Sequence, residues 1–147
     1  MNREAQILLV EDNPMDVALT INAFKEAHLS NEIHVVGSSE EALGYIKGEG
    51  AYSDRMIHPL PDIILLDLKM PGLGGFEFLK IIKSSPLLKR IPVIILTTSR
   101  NEEDIARSYD YGANSYLVKP INFDGFQKVV AEVSDYWFTL NVSANLN

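Results

Sequence analysis

Cysteine is absent from the 147 residues, which removes disulfides, thiolate metal sites and cysteine nucleophiles together. Long apolar runs are also missing. Stretches such as "IILL" and "VIIL" fall far below the roughly 20 apolar residues that span a bilayer. The opening "MNREAQ" lacks the apolar centre of a signal peptide. Positive charge is scarce: 13 Lys and Arg stand against 20 Asp and Glu, a formal charge of −7. With no basic stripe to offset that balance, the chain is a poor candidate for unassisted binding to a nucleic-acid backbone. The three histidines, His28, His34 and His58, show no metal-ligand spacing. These absences lead us to expect a cytoplasmic protein with neither a membrane nor a nucleic-acid partner. Asn141-Val142-Ser143 fits the glycosylation pattern, and in a cytosolic chain that is a chance match.

Apolar residues make up 46%, enough to bury a sizeable core. The length suits one domain, read here as residues 1–138 with a short tail at 139–147 and no output domain. Four uniformly apolar segments stand out: "ILLV" (7–10), "IILL" (63–66), "VIIL" (93–96) and "YLV" (116–118), with "IHVV" (33–36) weaker. Uniform rather than alternating apolarity belongs to parallel strands covered on both faces.

Helical patterns fall between these segments. Asn13-Pro14 reads as an N-cap and a helix-opening proline, ahead of Val17, Ile21 and Phe24 on one face. Ser38 to Glu41 and Ser99 to Glu102 read as capping boxes. Phe76, Leu79 and Ile82 follow Gly74-Gly75, and Phe126, Val130, Val133 and Trp137 mark a last helix. Strands and helices therefore alternate, which predicts an α/β fold: a doubly wound parallel sheet of five strands with five helices. Segment 47–62, rich in Gly, Pro and charge, reads as a surface loop.

In such sheets the functional crevice lies beyond the carboxyl ends of the strands. Glu11 and Asp12 follow the first strand and Asp67 the third, Thr97 and Thr98 close the fourth, and Lys119 follows the fifth, just before Pro120. Asp62 precedes a strand at the opposite rim and is left out. Asp54 and Asp104 read as solvated. Clustered carboxylates repel unless a cation sits between them. Oxygen donors without His or Cys point to magnesium or calcium rather than zinc. Asp67, at the centre, is placed to act as a nucleophile and form an aspartyl phosphate. Lys119 would face the negative side of a bound phosphoryl group, and Thr97 would donate to one of its oxygens.

The segments "LLVEDN", "IILLDLKMPGLGGFE", "IPVIILTTS" and "GANSYLVKP" together resemble the receiver domain of two-component response regulators, from the start of the chain to about Trp137. The resemblance implies a receiver or flavodoxin-like fold with strand order 2-1-3-4-5. It implies Asp67 as acceptor of a phosphoryl group from a histidine kinase. It further implies Mg²⁺, replaceable by Mn²⁺, held by Glu11, Asp12, Asp67 and the backbone carbonyl of Lys69. Thr97 and Lys119 would contact the phosphoryl oxygens, Thr97 and Tyr116 would form the switch, and Lys119-Pro120 would be a cis peptide. Segment 47–62 and the late "YW" resemble stand-alone receivers paired with bacterial phytochrome-type kinases. Relatives of that kind form homodimers through the fourth helix, fifth strand and fifth helix. Tyr109, Tyr111 and Tyr136 would either add aromatic surface there or cap the edge of the core. The output partner would be a further protein.

Two features depart from the common receiver pattern. Glu11 replaces an aspartate, and Lys69 stands two residues after Asp67. The Lys69 side chain would either reach over the phosphoryl site and hinder hydrolytic water or lie solvated while its carbonyl alone matters. Three rival functions each meet an obstacle in the sequence. An aspartyl-phosphate phosphohydrolase with a D-x-D motif needs a general acid where Lys69 stands. A flavin-binding module needs a Ser/Thr/Gly-rich loop after the first strand, where "VEDNPMD" offers acids. A phosphate-independent receiver would have no need of its intact acids, Thr97 and Lys119.

Overall fold

A computed structural model of the chain describes residues 6–26, 32–70, 72–119 and 123–134. Five parallel strands form one sheet: β1 (Gln6–Val10), β2 (Glu32–Val36), β3 (Ile63–Leu66), β4 (Val93–Thr97) and β5 (Ser115–Val118). Their order is β2-β1-β3-β4-β5, as expected. The helices are α1 (Pro14–Glu26), α2 (Ser39–Lys47), α3 (Gly75–Ser84), α4 (Glu102–Asp110) and α5 (Phe123–Ser134).

The uniform apolarity of the central strands follows from cover on both faces. Leu8, Val10, Ile64 and Leu66 point into one core with Tyr45, Phe78 and Ile82 from α2 and α3. Their neighbours Ile7, Leu9, Ile63 and Leu65 point into another with Phe24 of α1 and Phe126 and Val130 of α5. β2 lies at the sheet edge, and only Val36 of its five residues is buried, which accounts for its weaker pattern.

Helix starts follow the cap residues in two places and depart in a third. Asn13 Oδ1 accepts from the amides of Met15 (2.9 Å) and Asp16 (3.3 Å), fixing the entry of α1. Ser38 Oγ accepts from Glu41 N at 3.0 Å, while the Glu41 carboxylate reaches Gly37 N at 3.4 Å instead of closing the reciprocal box. The box expected at Ser99 does not form. The cap of α4 is Asn101, whose Oδ1 accepts from Glu103 N at 2.8 Å. Ser99 Oγ instead donates to Asp104 Oδ2 at 2.6 Å. Asp104 is therefore a tether between loop and helix, not a merely solvated acid.

Segment 47–62 is a built structure rather than a loose loop. α2 ends at Gly48 in the left-handed conformation. Arg55 then donates to the carbonyls of Tyr45 (2.8 Å) and Ile46 (2.6 Å), closing the helix end from nine and ten residues away. Asp54 Oδ1 accepts from Met56 N at 2.9 Å, so this acid also has a structural role. The rings of Tyr52 and His58 pack edgewise on each other and against Tyr45.

The Lys119-Pro120 peptide, the Val133 side chain, Tyr136, Trp137 and the tail 139–147 lie outside the described residues. No helix among the described residues is long and apolar enough to cross a membrane.

Candidate functional site

Backbone hydrogen bonds carry the sheet ladder one residue past the strand ends and so fix the rim. Glu11 N donates to Val36 O (3.0 Å), Asp67 N to Val10 O (3.1 Å) and Lys119 N to Thr97 O (2.7 Å). Each site residue is thereby anchored to the last residue of the neighbouring strand. The loop after β3 is pressed down from behind by α3. A Cβ on Gly75 would lie 2.8 Å from the carbonyl oxygen of Asp67 and from the Cα of Leu68, so only glycine admits the helix there. From above, Ser39 Oγ donates to Gly74 O (2.8 Å) and Leu73 N donates to Glu40 Oε1 (3.0 Å).

Glu11, Asp12 and Asp67 each offer a carboxylate oxygen, and the three oxygens lie within 4.8 Å of one another. Glu11 is 3% exposed and Asp67 8% exposed, whereas Asp12 faces solvent. Lys119 closes the cluster. Its ammonium bonds to Glu11 Oε1 in a very short contact, to Asp16 Oδ2 at 3.1 Å, and sits 3.6 Å from Asp67 Oδ2. Asp67 Oδ1 accepts from Lys69 N at 3.1 Å, and the Lys69 side chain is exposed.

Charge and burial pull against each other here. Burial pushes the Glu11 carboxyl up to about 7, and Asp67 adds to that, while the Lys119 ammonium works to lower it. Burial also works to lower the Lys119 pKa, but its bond to Glu11 and the charges of Asp67, Glu11 and Asp16 prevail and raise it. The ammonium therefore stays charged, yet a single ammonium faces four ionisable acids: Glu11, Asp12, Asp16 and Asp67. The site is short of positive charge and rich in hard oxygen donors, which fits a divalent cation such as Mg²⁺ or Mn²⁺.

Thr97 ends β4 with no exposed surface, and its Oγ1 accepts from Ser99 N at 3.4 Å. Thr98 is exposed. Tyr116 is half-buried against the core, and its hydroxyl donates to Ser99 O at 2.9 Å. Thr97 and Tyr116 thus meet at one residue, Ser99. The two described tyrosines of the α4 region divide. Tyr109 is half exposed, whereas Tyr111 packs edgewise on Phe76 with Arg107 lying over both rings. Asp62 sits at the far rim, where its carboxylate accepts from Gln6 N at 2.7 Å. Sequence reasoning missed Asp16; its one visible sign is an acid in the first turn of the helix that follows Glu11 and Asp12.

This rim matches a known family. The response regulator receiver domain aligns with residues 7–131. The chain is a member of that family. Response regulator Rcp1 of Synechocystis is 38% identical over 131 residues, covering 89% of this chain and 87% of the relative. A probable methanogenesis regulatory protein, FilR2 of Methanothrix harundinacea, is 38% identical over 138 residues, covering 93% and 86%. Among solved structures, the phosphorylated cyanobacterial phytochrome response regulator RcpA superposes with a TM-score of 0.90 at 38% identity, covering 97% of this chain and all of its own. The Mn²⁺-bound form of Rcp1 superposes at 0.86 with 35% identity, covering 96% and 99%. This receiver is therefore a response regulator related to phytochrome response regulators, one of which has been solved in a Mn²⁺-bound form.

Proposed function

We propose that this receiver accepts a phosphoryl group on Asp67 from the phosphohistidine of a sensor histidine kinase, with Mg²⁺ as the working cofactor and Mn²⁺ as a substitute. One observation carries the reading: the buried Asp67 carboxylate has two further carboxylates within 4.8 Å and a lysine ammonium 3.6 Å away. An oxygen of Asp67 forms the new P–O bond as the P–N bond to the kinase imidazole breaks, and the imidazole leaves with the electron pair. A divalent ion held by Glu11, Asp12, Asp67 and the Lys69 carbonyl supplies neutralising charge for the phosphoryl oxygens. Lys119 places its ammonium, and Thr97 its hydroxyl, against the remaining oxygens. The chain is charged once and stalls, rather than turning over small substrates.

Output runs through Thr97 and Tyr116. In the present structure the Tyr116 hydroxyl donates to Ser99 O at 2.9 Å. Phosphorylation draws Thr97 toward Asp67, Tyr116 turns into the space Thr97 leaves, and the population shifts toward a state that already exists. The face formed by α4, β5 and α5 then binds either a second copy of the chain or a downstream protein. The kinase is of phytochrome type, a reading supported by the kinship with RcpA and Rcp1. The reaction takes place in the cytoplasm.

Incubation with acetyl phosphate and Mg²⁺, followed by intact mass measurement, tests the core of this reading. One phosphoryl adduct is expected in the wild type and none in Asp67→Asn or without the divalent ion. An adduct that persists in Asp67→Asn would move the acceptor elsewhere.

A further inference from the structure

Asp16 has no part in the roles assigned so far, yet it holds one of the two close hydrogen bonds to the Lys119 ammonium, at 3.1 Å. It stands apart from the other acids around that lysine. Glu11 and Asp67 belong to the set of three carboxylates that converges on one point, and Asp16 does not. It comes from the first turn of α1, and the Asn13 cap holds its backbone amide in place. Glu11 is 2% exposed at its side chain, whereas Asp16 is 32% exposed. Lys119 thus rests between an inner anchor that a cation would claim and an outer anchor that it would not.

That placement has a consequence. With no divalent ion bound, the ammonium is itself the counter-ion of Glu11 and Asp67. A divalent ion drawn to those two carboxylates competes with it, since like charges crowded onto shared oxygens repel. The ammonium must give up part of its hold on Glu11 while remaining beside Asp67, where a phosphoryl group would need it. A lysine side chain freed on one side has a flexible four-carbon stem, and Asp67, 3.6 Å away and shared with the cation, holds it less firmly than a second anchor of its own.

We propose that Asp16 is a positioning residue that retains the Lys119 ammonium at the rim when a divalent cation occupies the Glu11, Asp12 and Asp67 cluster. The proposal rests on the reading of that cluster as a divalent-cation site. Asp16 acts through Lys119 and does not touch the ion.

A double-mutant cycle on Mg²⁺ affinity, measured by calorimetry, separates this role from a general field effect. Asp16→Asn removes a negative charge and weakens Mg²⁺ binding by some amount in any background. If Asp16 also keeps Lys119 from falling back onto Glu11, the loss is larger when Lys119 is present. We expect it to exceed the loss in the Lys119→Met background by about three- to ten-fold, the coupling typical of directly contacting charges. Equal losses in the two backgrounds would overturn the role of Asp16 and leave the cation site intact. No saturable Mg²⁺ binding by the wild type would overturn both. A second readout needs no change at Lys119. The ammonium proton–nitrogen resonance of Lys119, shielded by its anchors, should persist in Mg²⁺-loaded wild type and exchange away in Mg²⁺-loaded Asp16→Asn. Its persistence in the variant would equally overturn the proposal.

Discussion

At the scale of single residues, the decisive fact is that Glu11 is buried beside another acid and a lysine. Its pKa, raised by burial to about 7 from the ordinary 4.5, fixes the sign of two pH effects. Between those values the folded chain holds a proton that the unfolded chain has released. Stability from this group is therefore greatest at the acid end and is lost as pH rises toward 7. Cation binding runs the other way, because the proton must leave before Glu11 can serve a divalent ion. Mg²⁺ affinity is expected to climb between about pH 6 and about pH 8, with Glu11→Gln flattening the rise. A wild-type affinity that does not change over this range in calorimetric titrations would show that Glu11 is already ionised at the lower pH. The residues of the site were legible in the sequence wherever they sit directly at a strand end, because parallel strands expose whatever follows them. Asp16 was not, since it comes from a helix and reaches Lys119 only across the fold. Ser99 departs from its pattern because the helix starts two residues later: its Oγ accepts from Asn101 N at 3.2 Å and donates to Asp104, while Asn101 takes the cap.

At the scale of elements, strands and helices followed their apolar patterns, while the joints between them did not announce themselves. Lys83 illustrates why. It lies on α3 and looks in the sequence like a solvated lysine, yet its ammonium donates to Lys89 O (3.0 Å), Ile91 O (2.8 Å) and Asn114 Oδ1 (3.1 Å). Asn114 Oδ1 also accepts from Val93 N at 2.9 Å. One lysine therefore ties α3 to the entry of β4 and the entry of β5. Gly112 makes room for its stem: its φ is +101°, and a Cβ there would lie 2.8 Å from Lys83 Cγ. The "GAN" of "GANSYLVKP" thus serves this joint at the amino ends of β4 and β5, the rim opposite the acid cluster. Burial pushes the Lys83 pKa down to about 8, while the three acceptors hold the charged form in place. Lys83→Met keeps the stem and removes the ammonium, leaving acceptors short of donors. It is expected to lower stability by about 1–3 kcal/mol in urea denaturation, with the acetyl phosphate adduct on Asp67 retained. An unchanged urea midpoint would mean that water replaces the ammonium without loss.

At the scale of the whole molecule, cover is uneven. The strands β1, β3 and β4 are buried almost throughout, but all four residues of β5 are only half-buried. In α4, Ser108 alone is buried, and Tyr109 keeps half its surface in solvent. The face at this edge of the sheet is therefore less completely covered than the sheet centre, and it is where Ser99 joins Thr97 and Tyr116 to α4. A face of that kind suits association through a symmetric contact, with Tyr109 as an aromatic anchor of the sort that dominates interface energies. The proposed homodimer makes a measurable demand. Sedimentation velocity of the protein loaded with Mg²⁺ and beryllofluoride should show a concentration-dependent dimer. Tyr109→Ala should weaken that dimer by about ten-fold or more without altering the loading of Asp67. The two readouts fail independently: a dimer unaffected by Tyr109→Ala would place the contact elsewhere, while a monomer at every concentration would rule out the homodimer. Because Tyr116 and Asp104 both bond to Ser99, the dimer should strengthen with phosphoryl loading rather than stand apart from it. A dimer of equal strength with and without beryllofluoride would uncouple this face from the acid cluster at the rim.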